Sequence, residues 1–189
     1  MEKKVFGYPK YDDNGEMILT TYENEYRDML MDIRVYKLDT NQTKIFTSDF
    51  EEIAVLLLNG KIEINVDGTE KIVSRKSVFL EGPYAGHVSH SKIISVKALE
   101  ETEILVQKTK NKVTFNSKLY TPEDAPWKYS SQGWYGNVAN RRVNTIIDHD
   151  IEPKSNMVLG EVLNDPGNWS GYLPHRHPQP ECYYFLFDH

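Results

Sequence analysis

His175, His177 and Glu181 are the residues in this chain whose types and spacing most directly suggest chemistry. Residues two apart on an extended strand point to the same side, so the two imidazoles can stand next to one another. Pro178-Gln179-Pro180 turns the chain, and Glu181 can then swing back toward the same point. Two ring nitrogens and a carboxylate oxygen suit zinc first, with manganese, iron and nickel as alternatives. Three such ligands leave coordination positions open for water or substrate, which a catalytic divalent metal needs. Strand alternation places Tyr183 on the same face as Glu181 and makes it the candidate substrate contact or proton relay. Cys182 then points the other way and is expected to be a small buried residue.

The elements that must position these groups read as strands. Asp32–Leu38 alternates, with Ile33 and Val35 on one face, and the unbroken apolar run Ile53–Leu58 suits burial on both faces. Asn59-Gly60 and Asp67-Gly68 are expected to be hairpin turns, with Lys61–Val66 alternating between them. Ser77–Leu80, Lys92–Ala98 and Glu103–Lys108 continue the strand series. The stretch from Thr121 to Trp134 is rich in Pro, Ser and aromatic residues and reads as an irregular connection. Strand signals resume at Arg142–Ile147, Met157–Val162 and Cys182–Phe187. The expected organisation is a first unit over 1–135 and a second over 136–189 that carries the metal motif. Within the first unit, a closed antiparallel barrel is expected for roughly residues 25–115.

Composition narrows the function classes. The net charge of −6 disfavours nucleic acid and anionic membrane as partners, since both require basic surface. An acidic protein binds an acidic sugar only through a local cation. With one cysteine there is no intrachain disulfide, and no apolar run is long enough for a signal peptide or a membrane span. A cytoplasmic, homo-oligomeric protein acting on a small sugar acid is the expectation. Asp148-His149-Asp150 reads as a solvated turn, and Trp127, Trp134 and Trp169 as packing residues, with Trp169 also a possible sugar platform. Pro83–His87 and His90 form a second, weaker histidine cluster, read as part of a metal-free scaffold.

His175-Arg-His177 followed by Glu181 resembles the first motif of the cupin superfamily. More narrowly, Leu159-Gly-Glu-Val162, Gly167-Asn-Trp-Ser170, Pro174-His-Arg-His177 and Glu181-Cys-Tyr-Tyr-Phe185 resemble the bicupin family of 5-deoxy-glucuronate isomerases and 5-keto-4-deoxyuronate isomerases. Arg75–Phe79 and Arg142-Val-Asn144 fit the same family. The resemblance implies an all-β tandem cupin fold of double-stranded β-helix barrels, with the second barrel incomplete in this chain. A fourth ligand, a histidine on a later strand, is implied beyond His189. The implied activity is a metal-dependent aldose–ketose isomerisation, 5-deoxy-glucuronate to 5-dehydro-2-deoxy-gluconate in inositol catabolism. The alternatives are the 5-keto-4-deoxyuronate reaction and a non-catalytic metal- or sugar-binding cupin.

Overall fold

The computed structural model of the chain describes residues 7–169 and 175–188. In chain order the elements are β1 (Glu16–Thr20), a short 3-10 turn (Arg27–Met29), β2 (Met31–Leu38), β3 (Thr43–Thr47), β4 (Glu51–Val66), β5 (Thr69–Arg75), β6 (Ala85–Val88), β7 (Ile93–Ala98), β8 (Thr102–Lys110), β9 (Lys118–Tyr120), β10 (Lys128–Ser130), β11 (Arg141–Ile147) and β12 (Leu159–Leu163). The first nine strands make one antiparallel sheet, and β10-β11-β12 make a second.

β4 organises the larger sheet. Its first half pairs with β8 and β6, and its second half with β5 and β7. One strand therefore belongs to two half-sheets that face each other across a core. That core takes Ile53, Val55 and Leu57 from the first half and Ile62, Ile64 and Val66 from the second. The inward positions change from odd to even numbers between them. In a regular strand such a change would turn the apolar side chains outward. The pairing with β8 slips between Leu57 and Asn59, and this irregularity restores the facing.

Asn59-Gly60, expected as a hairpin turn, is thus an irregularity inside a continuous strand. Gly60 has φ 103, and a Cβ there would lie 2.4 Å from Thr102 Oγ1 and 2.7 Å from the Glu101 carbonyl oxygen. The backbone freedom of glycine serves a close approach to β8 here, not a reversal. Asp67-Gly68 is a hairpin as expected: Val66 pairs with Thr69, and both turn residues have positive φ. Ser77–Leu80 is a turn and not a strand, with the Leu80 and Glu81 amides donating to the Ser77 carbonyl.

The expectation of closed tandem cupin barrels is not met. Among the described residues the strand order runs β1-β2-β8-β4-β6-β9, with β5 and the β7–β3 pair branching from β4, and it never returns to its start. Folding the sheet at β4 buries its apolar face without closure, so no ladder between first and last strands is needed. The region after residue 135 is not a partial barrel either. It contributes β11 and β12 to a small sheet that lies on the outer face of the larger one. Ile146, Ile147, Met157 and Leu159 share a second core with Ala54, Leu56 and Leu58, from the other face of β4, and with Ile33, Val35 and Leu105. Ile53–Leu58 is buried on both faces, as its unbroken apolar sequence requires.

Arg75, at the end of β5, ties the two sheets together. Its guanidinium is fully buried and forms a bidentate pair with Glu161 of β12, at 2.7 and 2.8 Å. It also donates to the carbonyls of Leu57 and Glu81. Glu161 in turn accepts from Asn144 Nδ2 of β11 at 2.9 Å, and its amide donates to Asn144 Oδ1. Every strong donor direction of the buried cation that these contacts use is met by an oxygen, as a charge in such a place demands.

Two stability predictions follow from these contacts. Glu161→Gln should cost about 3–5 kcal/mol in urea denaturation, because it strands the Arg75 charge among buried groups. A loss below about 1 kcal/mol would show that the pair does not hold the sheets together. Gly60→Ala should destabilise more than Gly68→Ala. Both add a side chain at positive φ, but only position 60 drives it into backbone, since nothing lies within 4 Å of position 68.

Candidate functional site

The segment carrying the sequence motif follows β12 and its turn. Trp169 N donates to the Val138 carbonyl at 2.9 Å, and Asn168 Nδ2 to the Asn140 carbonyl. These bonds fix the exit from the small sheet against the loop before β11. Ser170 to Pro174 of the motif, and His189, lie outside the described residues.

From His175 on, the structure brings neighbouring members of the expected set into pairwise contact. The rings of His175 and His177 have centroids 5.4 Å apart. His177 Nε2 lies 3.1 Å from Glu181 Oε1, and the Tyr183 hydroxyl donates to Glu181 Oε2 at 3.2 Å. Glu181 is therefore the hub, with one oxygen on the imidazole and the other on the phenol. Partial withdrawal of the Tyr183 ring from water raises its pKa first, and the charge and hydrogen bond of Glu181 raise it further, against an opposing effect of Arg141. All four side chains are exposed.

The donor types suit a divalent ion. Their arrangement is a pairing of Glu181 with His177, and among the described residues no three His, Cys, Asp or Glu side chains converge as a metal-holding group. His175, His177 and Glu181 are thus collected on one segment without meeting at one point.

The segment 182–187, expected as a strand, has no ladder partner in the described structure. Some alternation persists without pairing. Tyr184 packs on the second core, while Tyr183, Phe185 and Phe187 are exposed. Cys182, expected to be buried, is exposed. Among the described residues no strand pairs with this segment to cover it. Trp134 and Trp169, expected as packing residues, are also exposed, Trp169 lying edge-on to Tyr135 at 5.2 Å. Asp148–Asp150 is the solvated turn expected, with Asp148 Oδ1 accepting from the Ile151 amide.

An open depression of about 460 Å³ lies beside the end of this segment. Leu186 and Phe187 form one side and Glu100, Glu101 and Glu103 another, with Lys76 among the lining residues. Its charged lining is three glutamates against one lysine, a balance that disfavours an anionic sugar. Glu103 is occupied structurally, accepting from the Tyr11 hydroxyl and from Asn59 Nδ2. Burial, then the Glu103 carboxylate, pushes the Tyr11 phenol far above its ordinary range.

The site groups thus define a histidine- and carboxylate-bearing segment mounted on an all-β protein. Residues 7–189 match the KduI/IolB family, and the chain belongs to it. It is 29% identical over 173 residues to a 5-deoxy-glucuronate isomerase of Geobacillus kaustophilus, covering 88% of this chain and 59% of the relative. The like-named protein of Geobacillus thermodenitrificans is 29% identical over 185 residues, covering 95% and 64%. The chain thus spans about three-fifths of the length of these relatives. Its fold is similar to that of an IolB-like protein from Salmonella typhimurium, with a TM-score of 0.64 at 18% identity over 73% of this chain and 52% of that one.

Glu181→Gln should lower the Tyr183 pKa toward that of a free phenol, since it removes the neighbouring negative charge. Carbon-13 NMR of ring-labelled tyrosine, with Tyr183→Phe to assign the resonance, reads this directly. An unchanged titration would show that the two groups do not interact in solution.

Proposed function

We propose that this chain belongs to a metal-dependent aldose–ketose isomerase acting on a deoxy-uronate, with 5-deoxy-glucuronate as the favoured substrate. The observation that carries this reading is the gathering of His175, His177, Glu181 and Tyr183 on one segment of a KduI/IolB-family chain. Membership agrees with a sugar-isomerase role, and the relatives named above supply the substrate class.

His175, His177 and Glu181 would hold the ion, zinc first among the divalent metals by ligand type. Such an ion supplies Lewis-acid stabilisation of negative charge on a sugar oxygen. It also supplies the local cation that an acidic protein needs to receive an acidic sugar. Moving a carbonyl from C1 to C2 requires a proton to pass from C2 to C1 and a hydroxyl proton to pass in the same sense, from the C2 oxygen to the C1 oxygen. Tyr183 is the candidate for the oxygen proton, as donor and relay. Its phenol keeps its proton at neutral pH, and Glu181 orients the hydroxyl from 3.2 Å. His177 positions Glu181 from the other oxygen.

A second reading, a metal- or sugar-binding protein without turnover, draws on the exposure of all four side chains. A catalytic centre gains from excluding water, and this segment is open to it.

Purified chain should retain divalent metal by elemental analysis, and His177→Ala should lose most of it. Conversion of 5-deoxy-glucuronate, followed by NMR, should disappear in the same variant. Tyr183→Phe should keep the metal and lose about 10²–10⁴-fold in rate, the usual worth of a positioned acid–base group. Metal content undiminished in the triple alanine variant of His175, His177 and Glu181 would place the metal elsewhere. Metal held by the three residues without turnover would favour the binding protein.

A further inference from the structure

The segment joining β11 to β12 is strapped across the ends of β4 and β8 by polar contacts. Asn111 Nδ2 donates to the Lys154 carbonyl at 2.7 Å, and Asn156 Nδ2 to the Lys110 carbonyl at 3.0 Å. The remaining contacts converge on Glu52 of β4, which is completely buried. Its Oε1 accepts from the Asn156 amide at 2.7 Å, and its Oε2 from Ser155 Oγ at 2.9 Å. His87 of β6, 1% exposed, places Nε2 3.1 Å from the same Oε2, with its ring against Phe115 at 4.6 Å.

We propose that the buried Glu52–His87 pair is a protonation-dependent latch that holds the Lys154–Met157 strap, and through it one end of the small sheet, against the larger sheet.

The argument is one of donors and acceptors. An ionised carboxylate can only accept, and three donors point at this one: a backbone amide, a hydroxyl and an imidazole N–H. A proton taken up on Oε1 would face the Asn156 amide, which has no lone pair to offer. On Oε2 it would face Ser155 and His87. It could be received there by Ser155 Oγ, whose own hydrogen would then turn to the Met157 carbonyl 3.5 Å away, or by His87 if it gave up its Nε2 hydrogen. Protonation therefore replaces a charged acceptor by a neutral one and weakens the contacts on the strap side, while the β-ladders that use only backbone groups stay intact.

Among the described residues, the other ionisable groups around the pair have partners or positions of their own. Glu52 sits opposite Thr109 on β8. The next residue, Lys110, holds its ammonium over the Tyr22 ring. Lys118 of β9, opposite His87, pairs with Asp124. Tyr120 stands with its ring 6.5 Å from that of His87, and Glu51 precedes Glu52 on β4. From the strap side, Glu152 and Lys154 flank the segment, and Glu152, with Asp148, acts on Tyr120. Met157, the last strap residue, is buried in the second core, so a loosened strap reaches the packing between the sheets.

Hydrogen–deuterium exchange of the whole chain, expressed as protection factors, tests the latch. Strap amides, with Asn156 the diagnostic one, should lose roughly ten- to a hundredfold in protection between neutral and acidic pH, the worth of hydrogen bonds to a charged acceptor. Amides of β5 and β7 should stay protected. Glu52→Gln, a neutral mimic of the protonated acid, should show the loosened strap already at neutral pH and no further loss on acidification. Ser155→Ala removes one contact and leaves the pair, so it should fall between the two and serves if Glu52→Gln does not fold. Strap protection that does not change with pH in the unmodified chain, or that is equal in Ser155→Ala and the unmodified chain, overturns the latch.

Discussion

β4 has to face one core along both halves of a 16-residue strand while changing partners in the middle, and the rest of the fold hangs on that. A strand that long, kept regular, would turn half its apolar residues to water once the sheet bends around it. The slip between Leu57 and Asn59, with Gly60 pressed against Glu101 and Thr102, resolves the conflict. It carries Ile62, Ile64 and Val66 back to the side already occupied by Ile53, Val55 and Leu57. The residues of β4 that face away, Ala54, Leu56 and Leu58, are left to form a second core. The small sheet covers that second face.

Covering it requires more than apolar contact. Arg75 reaches from β5 to Glu161 of β12, and Glu52 reaches from β4 to the connection between β11 and β12. Both charges are buried, and both are satisfied by groups of the opposite sheet or its loops. Burying a charge is costly unless it is paired and hydrogen-bonded. Any other placement of the small sheet would leave these groups unmet, so they select one docking geometry where apolar packing alone would tolerate several. The segment bearing His175, His177, Glu181 and Tyr183 inherits its position from this arrangement, through the turn that Asn168 and Trp169 anchor.

That segment is chemically crowded but structurally open. Glu181 serves His177 with one oxygen and Tyr183 with the other, so both of its oxygens are engaged. The nearby depression is rimmed by glutamates and is unsuited to an anionic sugar. On the proposed reading, recognition of a sugar acid would fall to the cation that the histidines and Glu181 would hold.

Local patterns were readable from residue types alone. The unbroken run Ile53–Leu58 announced burial on both faces, the alternation of Asp32–Leu38 announced a half-buried strand, and Asp67-Gly68 announced a tight hairpin. The contacts of Glu181 with His177 and Tyr183 are equally local, but the spacing did not decide whether His175, His177 and Glu181 converge, and among the described residues they do not. What escaped depends on distant partners. Asn59-Gly60 has the composition of a turn, and only the approach of β8, about forty residues on, makes it an irregularity within one strand. Closure into a barrel was expected from strand count, but whether first and last strands meet is decided by how the sheet folds at β4. Cys182 was expected inside because alternation gives each residue a side, yet alternation does not say which side is covered. Arg75, Glu161, Glu52 and His87 carry no local signal, since each is a common charged or polar residue in a strand. The Glu52–His87, Arg75–Glu161 and Glu52–Asn156 contacts join residues 35 to 104 positions apart in sequence, and tertiary folding alone brings them together.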